Sequence, residues 1–132
     1  MSKKRVFLSF SSDDIDHIRG LRLLNYHPNF DLEFYDQSIK TAINSEDANY
    51  IKRVITDQIR RSSVTICLIS ETTHRSDWVN WELEKSNELG NTIIAMSIKG
   101  VESAVLPKFI EENAIFFWTW DPENLSALIT QT

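Results

Sequence analysis

A chain of 132 residues, 42% apolar and 25% charged, is the material of one domain with enough apolar side chains for a core. At this length folding removes roughly two thirds of the unfolded chain's surface from water, so neither disulfides nor a structural metal are required. The lone cysteine, Cys67, excludes an internal disulfide and a cysteine-based zinc site, and the net charge of −5 weighs against a dedicated nucleic-acid binder.

Residues 5–10, Arg-Val-Phe-Leu-Ser-Phe, are β-branched and aromatic, and Ser11-Ser12-Asp13-Asp14 bounds them. This reads as a buried strand followed by a turn that caps a helix. From Asp14 to Asn25, Ile15, Ile18, Leu21 and Leu24 recur at helical spacing, and Tyr26-His27-Pro28-Asn29 ends the run. Phe30 to Tyr35 alternates apolar and polar residues as an edge strand does, and Asp36-Gln37-Ser38 opens a polar loop that lasts to about residue 47. Tyr50, Ile51, Val54, Ile55 and Ile59 stripe a helix from about Asp47 to Arg61, its arginines near the negative end of the dipole. Ser63 to Ile69 is almost continuously apolar and β-branched, a strand buried on both faces. Ser76 or Asp77 caps a helix that stops at Gly90, and Thr92 to Ile98 is a further buried strand. A short helix is expected around Pro107 to Glu111 and a last strand at Ile115 to Trp118. Asp121-Pro122-Glu123 then starts a final helix carrying Leu125, Leu128 and Ile129.

Five alternations of strand and helix with short connections imply a single flavodoxin-like α/β domain over residues 1–132: a five-stranded parallel sheet between helices on both faces. Ligands of such sheets bind beyond the carboxyl ends of the strands, near the switch in strand order. That directs attention to residues 9–14, 36–46, 70–78, 99–106 and 119–121. No apolar run reaches about 20 residues, so neither a signal peptide nor a membrane span is expected, and the cysteine usage suits the cytoplasm.

Only Gly20, Gly90 and Gly100 occur, and they are scattered. Walker loops and dinucleotide fingerprints need clustered glycines for close backbone approach to phosphate, so any bound nucleotide must be held by side chains. A phosphorelay receiver is disfavoured: Asp13 and Asp14 could supply its acidic pair, but the third strand ends Leu68-Ile69-Ser70-Glu71 and the fifth ends Trp118-Thr119-Trp120, without the required aspartate and lysine. A flavin site built on Ser9, Ser11, Ser12 and nearby rings stays open. His17, His27 and His74 lack metal-ligand spacing, and Cys67 reads as a small buried residue. Lys52, Arg53, Arg60 and Arg61 make either a local basic patch or, the plainer reading, a solvated helix face. Glu82 stands about one turn into the helix after the third strand, beside the strand-end crevice. It is either a functional carboxylate or a solvated helix glutamate like Glu84 and Glu88.

Val6-Phe7-Leu8-Ser9-Phe10-Ser11-Ser12-Asp13-Asp14 resembles the first box of Toll/interleukin-1 receptor (TIR) domains. Ser76-Asp77-Trp78-Val79-Asn80-Trp81-Glu82-Leu83 resembles the Ser-x-Trp-x-x-x-Glu-Leu segment in which enzymatic TIR domains carry their catalytic glutamate, and Val64 to Ser70 fits the family's third strand. With Lys85-Ser86 and Gly90-Asn91, the chain is most similar to the stand-alone bacterial TIR proteins of the Thoeris anti-phage defence system. The resemblance implies an enzyme that takes NAD⁺ as substrate, with no further cofactor. It would release nicotinamide and make an ADP-ribose-derived signal, cyclic or conjugated, that activates a separate effector protein. Self-association and a phage-derived trigger are the further partners the resemblance implies, and what triggers the protein is left open. Glu82 would then bond the ribose hydroxyls and stabilise an oxocarbenium-like transition state. Phe10 and Trp78 would stack on nicotinamide or wall the pocket, and Ser11, Asp36 and Ser38 would bond ribose or phosphate. Each has a plainer alternative: the rings as core, the hydroxyls and Asp36 as turn formers. A non-enzymatic interaction module built on the same fold also stays open.

Overall fold

The computed structural model describes residues 4–14, 16, 30–33, 42–98, 100, 101 and 104–131. Strands β1 (Lys4–Ser9), β2 (Phe30–Glu33), β3 (Val64–Ile69), β4 (Thr92–Ser97) and β5 (Phe117–Trp118) pair in parallel in the order β2-β1-β3-β4-β5. The helices are α1 (Asp47–Arg61), α2 (Asp77–Glu88), α3 (Lys108–Glu112) and α4 (Pro122–Gln131), with 3₁₀ turns at Ser12–Asp14 and Thr73–Arg75. The order reverses between β1 and β3, which opens a crevice at their carboxyl ends.

Side-chain alternation divides the core. Val6, Leu8 and, just past the strand, Phe10 point to the face covered by α4, where they join Val64, Ile66, Leu68, Met96, Leu125 and Ile129. On the other face Phe7 meets Ala48, Ile51, Ile55 and Ile59 of α1. Cys67, Ile69 and Ala95 meet Val79 and Leu83 of α2 and Phe109 and Ile110 of α3. All six residues of β3 are buried, as the central position demands of an apolar, β-branched run. Each fully buried Leu, Ile or Phe here contributes roughly 1.5–3 kcal/mol.

Local chemistry sets the helix ends. Ser76 accepts a hydrogen bond from the Val79 N–H at 3.2 Å and caps α2. At its other end Gly90, with φ of 85°, permits a Schellman closure: Gly90 N–H to the Asn87 carbonyl and Asn91 N–H to the Ser86 carbonyl. Asp121 accepts from the Asn124 N–H at 3.1 Å and Pro122 opens α4, the start expected from that tripeptide.

The last strand is shorter than expected. Ile115 turns into the α3 side of the core and Phe116 is 66% exposed, leaving only Phe117 and Trp118 to pair with β4. The helix expected from Asp14 to Asn25 and the strand residues Phe34 and Tyr35 lie outside the described residues, although Asp14 itself ends a 3₁₀ turn. No helix among the described residues is long and apolar enough to cross a membrane.

Candidate functional site

Two loops meet at the strand-order switch. The Ser70 hydroxyl, just after β3, donates to the Asp14 carboxylate at 2.6 Å, and Asp14 is 7% exposed. The Ser70 N–H donates to Thr73 Oγ1 at 2.7 Å, which folds the second loop over the strand end. Buried, charge-assisted bonds of this kind hold both loops in one geometry.

Between them and the 42–44 segment lies an open cleft of about 400 Å³. Ser11 and Asp13 line it from the β1 loop, Ala42, Ile43 and Asn44 from the segment before α1, and Thr72, Arg75, Ser76, Asp77 and Trp78 from the β3 loop and α2. Of the five segments at the strand ends, the cleft thus draws on 9–14, 36–46 and 70–78. The described residues of 99–106 and 119–121 contribute none of this lining. Arg75 is its one cationic side chain among the described residues, and Asp13 and Asp77 are the acids of the same lining.

Glu82 lies one helical turn beyond Trp78 on the same face of α2. It is not a solvated helix glutamate: its exposure is 0%, whereas Glu84 and Glu88 are exposed. The carboxylate Oε1 accepts from the Ser9 hydroxyl at 2.8 Å. Ser9 pairs in register with Cys67 of β3, so Glu82 projects onto the carboxyl-end portion of these two strands. Burial, and then the Glu82 carboxylate, push the Cys67 thiol far above its ordinary range, which keeps the sulfur protonated and unreactive. One turn further along α2, the buried Thr65 hydroxyl donates to Ser86 Oγ at 2.7 Å, and Asn91 donates to Thr65 at 3.2 Å.

Trp78 is 8% exposed. It walls the cleft with one part of its surface and packs with Phe7, Ile51 and Ile55 with the rest, so it is core and cleft wall together. Ser11 lines the cleft, and its hydroxyl accepts from the Asp13 N–H at 3.4 Å, so it shapes the turn as well. Phe10 differs from the expectation of a stacking ring. It is fully buried on the α4 side of the sheet and lines no part of the cleft. The cause is the two-residue alternation of β1, which sends Ser9 toward Glu82 and Phe10 the opposite way. Asp36 and Ser38 lie outside the described residues.

Ser9 and Asp13 stand in the first motif, which does not itself tie them to Glu82 or to the cleft, and Arg75 and Asn44 lie outside every motif. Counting alternation from Phe7 assigns Ser9 to the Glu82 side. Arg75 and Asn44 carry no periodic signal at all. No group of three His, Cys, Asp or Glu side chains among the described residues is placed to hold a metal ion. The arrangement therefore offers a hydroxyl- and carboxylate-lined cleft with one cation at its wall and a dry carboxylate one turn beneath.

The family model for the TIR-like domain of the Thoeris protein ThsB matches residues 7–103. A Bacillus cereus (strain MSX-D12) protein named "Putative cyclic ADP-D-ribose synthase ThsB1" is 34% identical over 104 residues, covering 72% of this chain and 52% of that protein. The chain spans about half the length of this curated relative. Among solved structures, the TIR domain of the Toll-related receptor TRR-2 of Hydra magnipapillata superposes with a TM-score of 0.58 at 15% identity, over 96% of this chain and 91% of that one. The CMP N-glycosidase BcmB of Clostridium botulinum gives 0.59 at 16%, over 92% of both chains. A 2-deoxyribosyltransferase of Bacillus psychrosaccharolyticus gives 0.64 at 12%, over 92% and 89%. At these identities the structures establish the α/β fold. The match over residues 7–103, together with the ThsB1 relative, establishes more: the chain belongs to the Thoeris ThsB family of TIR-like domains.

Proposed function

We propose that the chain is a TIR-type enzyme that cleaves the nicotinamide–ribose bond of NAD⁺ and converts the ADP-ribose portion into a second messenger for a separate effector in anti-phage defence. The observation that carries this reading is Glu82: a carboxylate in the family-matched segment, one helical turn below the Trp78 wall of a cleft at the strand-order switch. The name of the ThsB1 relative, a cyclic ADP-D-ribose synthase, supports the same chemistry.

Breaking this bond builds positive charge on the ribose while the leaving nicotinamide gives up its own. No general acid is needed, and one carboxylate near the sugar suffices. In a site that excludes water, removing such a charge costs about 3 kcal/mol or more of barrier, a loss of a hundredfold or greater. Glu82 is fully buried and is not among the residues that line the cleft, so a local opening that brings it to the ribose belongs to this mechanism. Ser11 and Thr72 supply hydroxyls to the sugar and phosphate edge, and Arg75 supplies the counter-charge that a chain without a glycine loop must take from a side chain. The assignment of Asp36 and Ser38 to ribose or phosphate follows from the family pattern alone.

The second reading is a non-enzymatic interaction module. The complete burial of Glu82 and its bond to Ser9 favour it, because the same contacts serve as structure. Incubation of purified protein with NAD⁺, dilute and concentrated enough to self-assemble, and mass spectrometry of the products separate the two. Nicotinamide with an ADP-ribose product supports the enzyme. Intact NAD⁺ throughout, with phage protection that survives Glu82→Gln, supports the module.

A further inference from the structure

We propose that the groove between α1 and α2, on the helix side remote from the sheet, binds a small anion carrying two or more phosphate groups. The groove encloses about 470 Å³, within the range of roughly 300–1,000 Å³ typical of small-molecule sites. Lys52, Arg53 and Arg60 line it from α1, and Lys85 and Trp81 from α2; Asp57 is the one acid in the lining.

The charge there opposes that of the chain, whose net value is −5. Asp57 is occupied by Arg60 at 3.2 Å, and Lys85 pairs with Glu88 at 3.0 Å at the rim. Lys52 and Arg53 form no ion pair among the described residues. Lys52 Nζ and Lys85 Nζ stand 5.8 Å and 5.7 Å from the centroid of the Trp81 ring, one reaching it from each helix. The ring face attracts both ammonium groups, which keeps them at the wall of the groove. Lys52, Arg53 and Arg60 of α1 and Lys85 of α2 line the same groove, so a multiply charged anion can meet more than one cation there. Trp81 also meets Trp78 edge to face, with ring centroids 5.9 Å apart, so the groove and the strand-end cleft share α2 as a common wall.

Isothermal titration of the whole chain at low salt with inorganic pyrophosphate, ADP and adenosine tests this. Pyrophosphate and ADP should bind saturably, more weakly as salt rises, and adenosine should give no heat. Tighter binding of ADP than of pyrophosphate would make the ligand a nucleotide; equal binding would make it the phosphates alone. Lys52→Glu with Arg53→Glu should weaken binding about tenfold or more, and Lys85→Glu, on the other helix, should act in the same direction. Arg75→Ala, in the separate cleft, should remove only a cleft-bound component of the titration and leave the component that Lys52→Glu with Arg53→Glu weakens. Absence of saturable binding by both phosphate compounds in the wild type would overturn the proposal. So would a titration that the α1 variant leaves unchanged, or one that Arg75→Ala alone abolishes.

Discussion

Replacing Ser9 by Ala removes the donor that meets Glu82 Oε1 at 2.8 Å, in a place where neither side chain has exposed surface through which water could enter. A buried hydrogen bond to an ionised group contributes about 1.5–3 kcal/mol, so Ser9→Ala should lower unfolding free energy by that amount. At roughly 4 °C per kcal/mol for a domain of this size, the melting temperature should fall by about 6–12 °C. In a Glu82→Gln background the acceptor is a neutral amide oxygen, and the same substitution should cost only about 0.5–1.5 kcal/mol. The double-mutant cycle should therefore show a coupling of about 1 kcal/mol or more. Urea unfolding followed by circular dichroism measures all four corners. A Ser9→Ala variant within about 0.5 kcal/mol of wild type, or an identical cost in both backgrounds, would refute a charge-assisted Ser9–Glu82 contact.

Arg75→Ala should raise KM for NAD⁺ about tenfold with kcat nearly unchanged, and should leave cleavage of nicotinamide riboside, which lacks the pyrophosphate, unaffected; steady-state nicotinamide release reads both. Cys67 has a folded-state pKa raised above its ordinary 9.0, so the stability it contributes is complete below that pH and declines as pH rises beyond it. Urea unfolding above pH 9.0 should accordingly show wild type losing about 1.4 kcal/mol per pH unit more than Cys67→Ala, and iodoacetamide should label Cys67 only after unfolding. Ser76→Ala should cost about 1 kcal/mol by uncapping α2, and Ser76→Asp should restore most of it in the same assay.

Much of the fold is legible in the sequence because two periods carry it. The stripe Ile51, Ile55, Ile59 marks α1 over Asp47–Arg61, and the β-branched run from Val64 to Ile69 marks the central strand. Asp121-Pro122 marks the start of α4 because a proline in first helical position has no N–H to lose. The brevity of β5 was not legible: Ile115 to Trp118 has strand composition, and only the packing of Ile115 under α3 withdraws it from the sheet. For the site, the position of Glu82 within the stripe Trp78, Val79, Glu82, Leu83, Ser86 already marks the buried face of α2, and reading that stripe would have replaced the solvated alternative. Phe10 enters the site only through the TIR resemblance, and the alternation along β1 sends it to the far face, the core position that was its plainer alternative. Arg75 could not be selected from the sequence, since nothing local distinguishes the one cation of the 3₁₀ turn at the cleft from the other basic residues of the chain.

The central claim is that Glu82 does chemistry as well as packing. Nicotinamide release by the Glu82→Gln protein, measured alongside wild type and with folding verified by its melting temperature, tests it most directly. The account predicts a folded protein whose rate has fallen about a hundredfold or more. A folded Glu82→Gln protein that releases nicotinamide at the wild-type rate would contradict it.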